Sequence, residues 1–440
     1  MQTIVSGGVR MMRTMGRDLR FATVQSSDIQ IFESICGRDH VKTEDIDNYK
    51  TDWTKAFRAH CAQRKIAVVP QAGNTSLVGG SVPLYDEIVV SVKRIKEQLN
   101  FDETTGWLLF YMMPYDLGAK GSCMVGGNVA TNAGGLRLLR YGSIHAHLLG
   151  LTVVLPTEDG TVMELGSPLR KDNTSLHIPH LFLGSEGQLG FITRVVMSTV
   201  KCLGIPGAET FESCCNVLHL AHRHLSEILS SFEFLDRETT VLLNEVLDLK
   251  PVLQSNPRFT ILVETSGSNE EHDANKMECF LDKCLSSGVV SDGVQAQSAA
   301  ESSAMWRLRE SAPLAVAAGG FAYLYDVSLP LHSFYRLTEV VRERYAQSAK
   351  VVATYGHLGD GNTHLNVIVN DYNQKFHESL DTFIYEWVVA HGGSISAEHG
   401  IGQLKLPYSS LGKSSVERDL VRRIKAVFDP NGILNPYKTL

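Results

Sequence analysis

The chain has 440 residues, a formal net charge of -7, 43% hydrophobic residues and 20% charged residues. That length exceeds what one ordinary hydrophobic core organises, so two domains of unequal size are expected, with the composition of a soluble globular protein. The acidic balance argues against a general nucleic-acid binder, and the longest apolar stretch, Pro313 to Tyr325, is glycine-interrupted and too short to cross a bilayer.

At the N-terminus, Arg10, Arg13, Arg17 and Arg20 recur at near-helical spacing among apolar residues, and Asp18 is the only acid before Asp28. Over residues 1–30 this resembles a mitochondrial transit segment. An ordinary basic helix or tail would read the same, which leaves a cytoplasmic location as the alternative. From Ile66 to Val200, short β-branched runs are punctuated by glycine: Ile66–Val69, Glu87–Val92, Leu151–Leu155 and Phe191–Val196. An α+β sheet domain with long loops is expected over 46–201. Composition changes near Cys202. Ser213–Lys250 reads as helical, with Leu218, Leu220, Leu225, Ile228 and Leu229 as its apolar stripe, followed by a strand at Phe259–Val263 and helices near Glu271–Leu285 and Leu331–Ala349. That order suggests an α+β cap over 202–391. Residues 392–440 add a helix at Ser415–Phe428 and a turn-rich tail. The eight cysteines show no C-x-x-C spacing and read as reduced, buried thiols.

Three loops of the first domain are rich in glycine and small polar residues: Pro70–Gly80, Gly118–Gly135 and Gly184–Gly190. Small side chains let successive backbone N–H groups point at one anion, and Thr75, Ser122, Asn128 and Thr131 can add donors, so a diphosphate is the expected guest. Any one loop could be only a tight turn. None carries the G-x-G-x-x-G of a nicotinamide fold, and a dinucleotide held without it suggests FAD.

Two late segments, Tyr355–Asn366 and Ser396–Gly402, offer three histidines and a carboxylate. Gly359-Asp360-Gly361-Asn362 is a turn cluster between two β-prone runs, so a chain reversal there sets His357 and His364 side by side. Neutral imidazoles suit zinc and its neighbours; Glu398 completes a three-ligand divalent-metal site with an open position, and His399 is placed as a base. A pair of histidines can also merely decorate a hairpin, but the glycines around Glu398-His399 permit a close backbone approach that a solvated pair would not need.

With these residues in view, the chain resembles the FAD-linked 2-hydroxy-acid dehydrogenases of the vanillyl-alcohol-oxidase fold, from about Ile46 to Leu440. The motifs are Gly126–Gly135, Leu181–Gly187, Gly356–Asn362, Ser394–Gly402 and Asp429–Pro436. The resemblance implies a two-domain flavoprotein in which the first domain and the C-terminal tail bind FAD and the middle segment caps the substrate. It implies FAD contacts from Gly73, Asn74, Thr75, Ser122, Gly126, Gly127, Asn128, Thr131, Asn132, Gly135, Gly184, Ser185, Glu186, Gly187, Ile192 and Asn435. It further implies His357, His364 and Glu398 as metal ligands, His399 as the base, Arg309 as partner of the substrate carboxylate and Asn366 as a further substrate contact. The implied reaction oxidises a D-2-hydroxy acid, with D-2-hydroxyglutarate favoured, and passes electrons to a protein acceptor such as an electron transfer flavoprotein or cytochrome c. A homodimer is compatible with the sequence, which does not fix the oligomeric state. The chain departs from the family in three ways. A strand–helix unit is missing between Trp53 and Ile66, and another between Leu109 and Asp116. Ala72 and Ser76 stand where this branch has glycines. Leu324, before Tyr325, stands where the hydroxyglutarate branch has lysine, which favours D-lactate as the alternative substrate; the missing units leave a catalytically impaired paralogue or interaction protein as the other alternative.

Overall fold

The computed structural model describes residues 17–36, 41, 61–93, 117–119, 121–166, 176–197, 207–253 and 255–438. Arg10 and Arg13 lie outside these residues, as do most of the two positions where strand–helix units are expected to be missing. Arg17 is bound to the Asp86 carboxylate at 2.7 Å.

Three sheets organise the described residues. Strands β1 (Val68–Gln71) and β2 (Ile88–Ser91) pair in parallel. The second sheet has the antiparallel order β4-β3-β5, from β3 (Leu148–Val154), β4 (Val162–Gly166) and β5 (Phe191–Met197). The C-terminal tail returns to the first sheet: the Val68 N–H donates to the Ile433 carbonyl at 2.7 Å and the Asn435 N–H to the Val68 carbonyl at 2.8 Å.

The third sheet is antiparallel and six-stranded. It holds β6 (Gly207–Ala208), β7 (Leu229–Asp236), β8 (Phe259–Thr265), β9 (Phe321–Ser328), β10 (Val351–His357) and β11 (Asn362–Val369) in the order β6-β8-β7-β10-β11-β9. One face is strongly apolar: Phe232, Phe234, Phe259, Ile261 and Val263 pack on the helices Phe211–Leu225 and Glu270–Ser286. On the same face, Tyr323, Tyr325, Leu365 and Val367 pack on Arg336–Tyr345 and Gln374–Ala390. The opposite face is apolar only in part. There Leu235, Ala353, Tyr355 and Ile368 meet the helices Arg237–Leu247 and Ala299–Ala318.

The expectation of one helical stretch over Ser213–Lys250 is wrong. The helix ends at Leu225, β7 follows as a strand buried along its length, and a new helix begins at Arg237, capped by the Asp236 carboxylate. The sequence Leu-Ser-Ser-Phe-Glu-Phe-Leu-Asp has little period of its own; pairing with β8 on one side and β10 on the other makes it a strand. Ala299–Ala318 is a single helix containing Pro313. The thiols are not uniformly buried either: Cys61, Cys214 and Cys284 are, but Cys279 is exposed because its position on the 270–286 helix turns it to solvent.

Candidate active site

The β10–β11 hairpin sets Tyr355 opposite His364 and His357 opposite Asn362. Side chains opposite one another, or two apart along a strand, share a face, so His357, His364 and Asn366 project together. The same register places Asp326 of β9 opposite His364, Leu324 opposite Asn366, and Glu233 of β7 opposite His357. This is the incompletely covered face of the six-stranded sheet, toward the end where the hairpin turns.

Glu398 enters from the loop after the 374–390 helix. Its Oε1 lies 3.6 Å from His357 Nε2 and its Oε2 lies 4.0 Å from His364 Nε2, with the two imidazole centroids 5.5 Å apart. The three ligand atoms lie within 4.8 Å of one another, the spacing expected of donors around one cation. Asp326, His364 and His399 form a second such group that shares His364. Glu398 is also tied to the glycine-rich segment, since the Gly135 N–H donates to Oε1 at 2.9 Å. A Cβ on the neighbouring Gly134 would lie 3.1 Å from that oxygen, so any side chain there would have to push Glu398 aside by a few tenths of an ångström.

Two buried carboxylates that no local motif announced hold this cluster in place. Asp326 Oδ2 accepts the backbone N–H groups of Ala397, Glu398 and His399 at 3.2, 3.0 and 2.9 Å, fixing the turn that carries the predicted ligand and base. Glu233 accepts from His357 Nδ1 at 2.9 Å and from Arg309 Nε at 2.8 Å. Only the strand register could have revealed either residue.

The charges separate the two histidines expected as ligands. Burial holds His364 neutral, with its pKa lowered to about 3 despite Asp326 and Glu398 nearby. For His357, burial also favours the neutral ring but is outweighed by Glu233 and Glu398, which raise its pKa well above the ordinary value. A metal taken up at His357 must therefore displace a proton. Burial pushes Glu398 upward, yet His357 and His364 bring it down to about 2. Asp326 is likewise destabilised by burial, but His399, Lys405 and His364 hold it well below the usual carboxylate range. The donor set of two imidazoles and one ionised carboxylate fits a divalent transition metal such as zinc.

His399 stacks on His364 at 5.7 Å, its Nδ1 lies 3.8 Å from Asp326 Oδ2, and its Nε2 makes no hydrogen bond among the described residues. Arg309, 5% exposed, lies over the Tyr355 ring; among the described residues only its Nε is engaged, by Glu233, which leaves both Nη atoms as an end-on fork for a carboxylate. Asn366 donates its Nδ2 to the Ala353 and His364 carbonyls, so its Oδ1 is the atom left to face a ligand.

The residues expected around FAD also meet. A Cβ on Gly73 would fall 2.3 Å from the Ser122 carbonyl, so the first two glycine loops touch backbone to backbone. Gly126 lies against Ile192, Gly127 against Ala72, Gly184 against Asn132 and Gly187 against Asn435. The Asn132 Oδ1 is buried without a hydrogen-bond partner among the described residues. A side-chain-free cradle with an unsatisfied polar atom fits a dinucleotide. Several expected contacts are engaged locally: Ser122, Thr131 and Ser185 donate their hydroxyls to the Ala119, Gly127 and Phe182 carbonyls, and the Asn128 amide faces Cys123 Sγ. Asn74 Oδ1 accepts from Ser81, and Thr75 is exposed. Glu186 holds the backbone of Ile401 and Gly402 with its carboxylate, and its carbonyl accepts from Asn435 Nδ2.

Comparison with known proteins gives the family. The model of the C-terminal domain of FAD-linked oxidases matches residues 198–439, and an FAD-binding domain model matches residues 109–166. The mitochondrial D-2-hydroxyglutarate dehydrogenase of Arabidopsis thaliana is 42% identical over 468 residues, covering 96% of this chain and 83% of the relative. That alignment is at least 28 positions longer than the 440 residues of this chain, so parts of the relative have no counterpart here. The mitochondrial D-2-hydroxyglutarate dehydrogenase of Rattus norvegicus is 40% identical over 99% of this chain and 90% of its own length. A putative mitochondrial D-lactate dehydrogenase of Schizosaccharomyces pombe is 39% identical, over 97% of this chain and 92% of its own length. The fold is shared with p-cresol methylhydroxylase, at a TM-score of 0.73 and 13% identity over 95% of this chain and 98% of that one. With a family model spanning more than half of its residues and relatives near 40% identity over almost all of them, this chain belongs to the FAD-linked oxidases.

Proposed function

We propose that this protein is an FAD- and metal-dependent dehydrogenase that oxidises a D-2-hydroxy acid, D-2-hydroxyglutarate first among them, to the 2-oxo acid. One observation carries the reading. Glu398 sits between His357 and His364 while accepting the Gly135 N–H from the glycine-rich cofactor segment, so the metal ligands and the flavin loops form one site. Bound FAD would supply a hydride acceptor, and a divalent cation, zinc by its donor set, would supply Lewis acidity toward the substrate hydroxyl. The Arg309 fork takes the substrate carboxylate and fixes which face of the α-carbon is presented. His399 Nε2 takes the hydroxyl proton while the α-hydrogen leaves with its electron pair, so two electrons leave the substrate and a carbonyl replaces the alcohol. Asp326 beside His399 Nδ1 favours the imidazolium so formed. Asn366 Oδ1 orients the bound acid.

In this reading residues 46–201 with 392–440 hold the flavin and 202–391 cap the substrate. Mitochondrial relatives and the arginine-rich N-terminus support a mitochondrial matrix location, with an electron-transfer protein as acceptor. A second substrate is favoured by Leu324. It is 44% exposed and stands opposite Asn366 on the site's face, where it offers no charge to a distal carboxylate, so D-lactate is the alternative. The test is a visible spectrum with turnover: purified protein should be yellow and should reduce an artificial acceptor with one of the two acids. Protein that stays colourless after refolding with FAD, and turns over neither acid, would overturn the proposal and favour a non-catalytic relative.

A further inference from the structure

We propose that His145, His177 and His180 form a second transition-metal site, separate from the cluster at His357, His364 and Glu398. His177 caps the short 3-10 helix Ile178–Phe182, and His145 lies on the neighbouring one, Ile144–Ala146. Residues three apart on a 3-10 turn eclipse each other, which brings His177 over His180. The imidazole centroids of His177 and His180 are 4.2 Å apart, and those of His145 and His180 are 5.3 Å apart. His180 Nε2 is buried and makes no hydrogen bond among the described residues. A nitrogen lone pair or N–H left without a partner is costly, and here two further imidazoles lie beside the same ring.

Three imidazoles and no carboxylate suit Zn²⁺, Ni²⁺ or Cu²⁺, with solvent completing the coordination. The His177 ring is tilted and the His145 ring edge-on to that of His180, and the three are not aimed at one point. Because His145 and His177 are exposed, rotation about their side-chain bonds can bring them to a cation on His180 without moving the backbone. His147 is not part of the set, because its Nε2 is engaged by the Tyr141 carbonyl at 2.6 Å. The consequence is local. A bound ion would pin the 144–146 turn to 178–182, and the latter leads directly into the Gly184–Gly187 loop, whose Gly184 and Glu186 N–H groups donate to the Val129 and Ala130 carbonyls. The ion would thus stiffen one of the expected dinucleotide loops from outside the active site. This inference does not depend on the oxidase reading.

The experiment is zinc titration of the full-length, chelator-stripped protein, followed by competition with a chromophoric chelator. The wild type should bind two equivalents. The double variant His177→Ala with His180→Ala should keep one, and His364→Ala should also keep one, lost from the other site. Because the double variant could fold poorly, His145→Gln serves as the second probe: its ring is exposed, and the second equivalent should weaken at least tenfold. Cobalt at the second site should give visible absorption in His364→Ala that disappears when His180→Ala is added. Unchanged zinc stoichiometry in the double variant, or unchanged affinity of the second equivalent in His145→Gln, would overturn the proposal even if the active-site cation were retained.

Discussion

Replacing Asp326 by Ala should loosen the turn that carries Glu398 and His399, and the size of the effect follows from its bonds. Asp326 is 1% exposed; Oδ2 accepts three backbone N–H groups, Oδ1 accepts the Asn362 Nδ2 at 2.9 Å, and Lys405 Nζ lies 3.7 Å away. Hydrogen bonds to a charged group contribute about 1.5–3 kcal/mol each, but they do not add, and removing one member of a buried charged network typically costs about 3–5 kcal/mol. Against a net stability of about 5–15 kcal/mol, Asp326→Ala should consume a large fraction. Asp326→Asn separates the hydrogen bonds from the charge. The introduced amide oxygen can replace Oδ2, and its NH2 can donate to Asn362 Oδ1, which is buried without a partner, once the Asn362 amide flips. That variant should lose only about 1–3 kcal/mol. Urea unfolding of both variants, with zinc affinity measured in parallel, tests this: Asp326→Ala should lose most of both and Asp326→Asn should retain the metal. If Asp326→Ala unfolded within about 1 kcal/mol of wild type and bound zinc as tightly, Asp326 would not be what holds the turn.

Removing the imidazole by His399→Ala should lower turnover by about 10²–10⁴-fold with metal content unchanged; loss of metal with turnover retained would reverse the two assigned roles. Acid should destabilise the metal-free protein partly through His364, whose folded pKa of about 3 lies below the ordinary 6.5. Its contribution is full above pH 6.5 and is lost as the pH falls, so His364→Gln should flatten the loss of urea stability between pH 6 and 4; an identical slope would count against a neutral His364. Leu324→Lys should shift the ratio of kcat/KM for D-2-hydroxyglutarate over D-lactate upward by about 10-fold or more, as one charge-assisted pair allows, and no shift would remove Leu324 from the specificity determinants. Brief alkylation of the native protein, read by peptide mapping, should modify Cys279 and spare Cys61, whose thiol burial pushes to about 12; labelling in the reverse order would contradict the packing.

Residues close in sequence were the legible part of the site. The turn at Gly359–Asn362 between two β-prone runs already sets His357 beside His364, and Glu398-His399 among glycines marks a segment built for close approach. Asp326 and Glu233 were not legible, because each is a lone acid in an ordinary strand and meets the histidines only through inter-strand register. The same holds for β7, which reads like helix until two neighbouring strands claim its hydrogen bonds.

The sequence by itself determined the chemistry available: three histidines and a carboxylate in two short motifs, and glycine loops with no side chains to obstruct a cofactor. Tertiary structure alone decided which carboxylates orient those histidines, that the Gly135 amide reaches Glu398, and that Leu324 faces the site. The reason is physical. Backbone conformation is set largely by near neighbours, whereas burial and charge pairing depend on which distant strands lie side by side, and this is where proton affinity and ligand geometry are fixed.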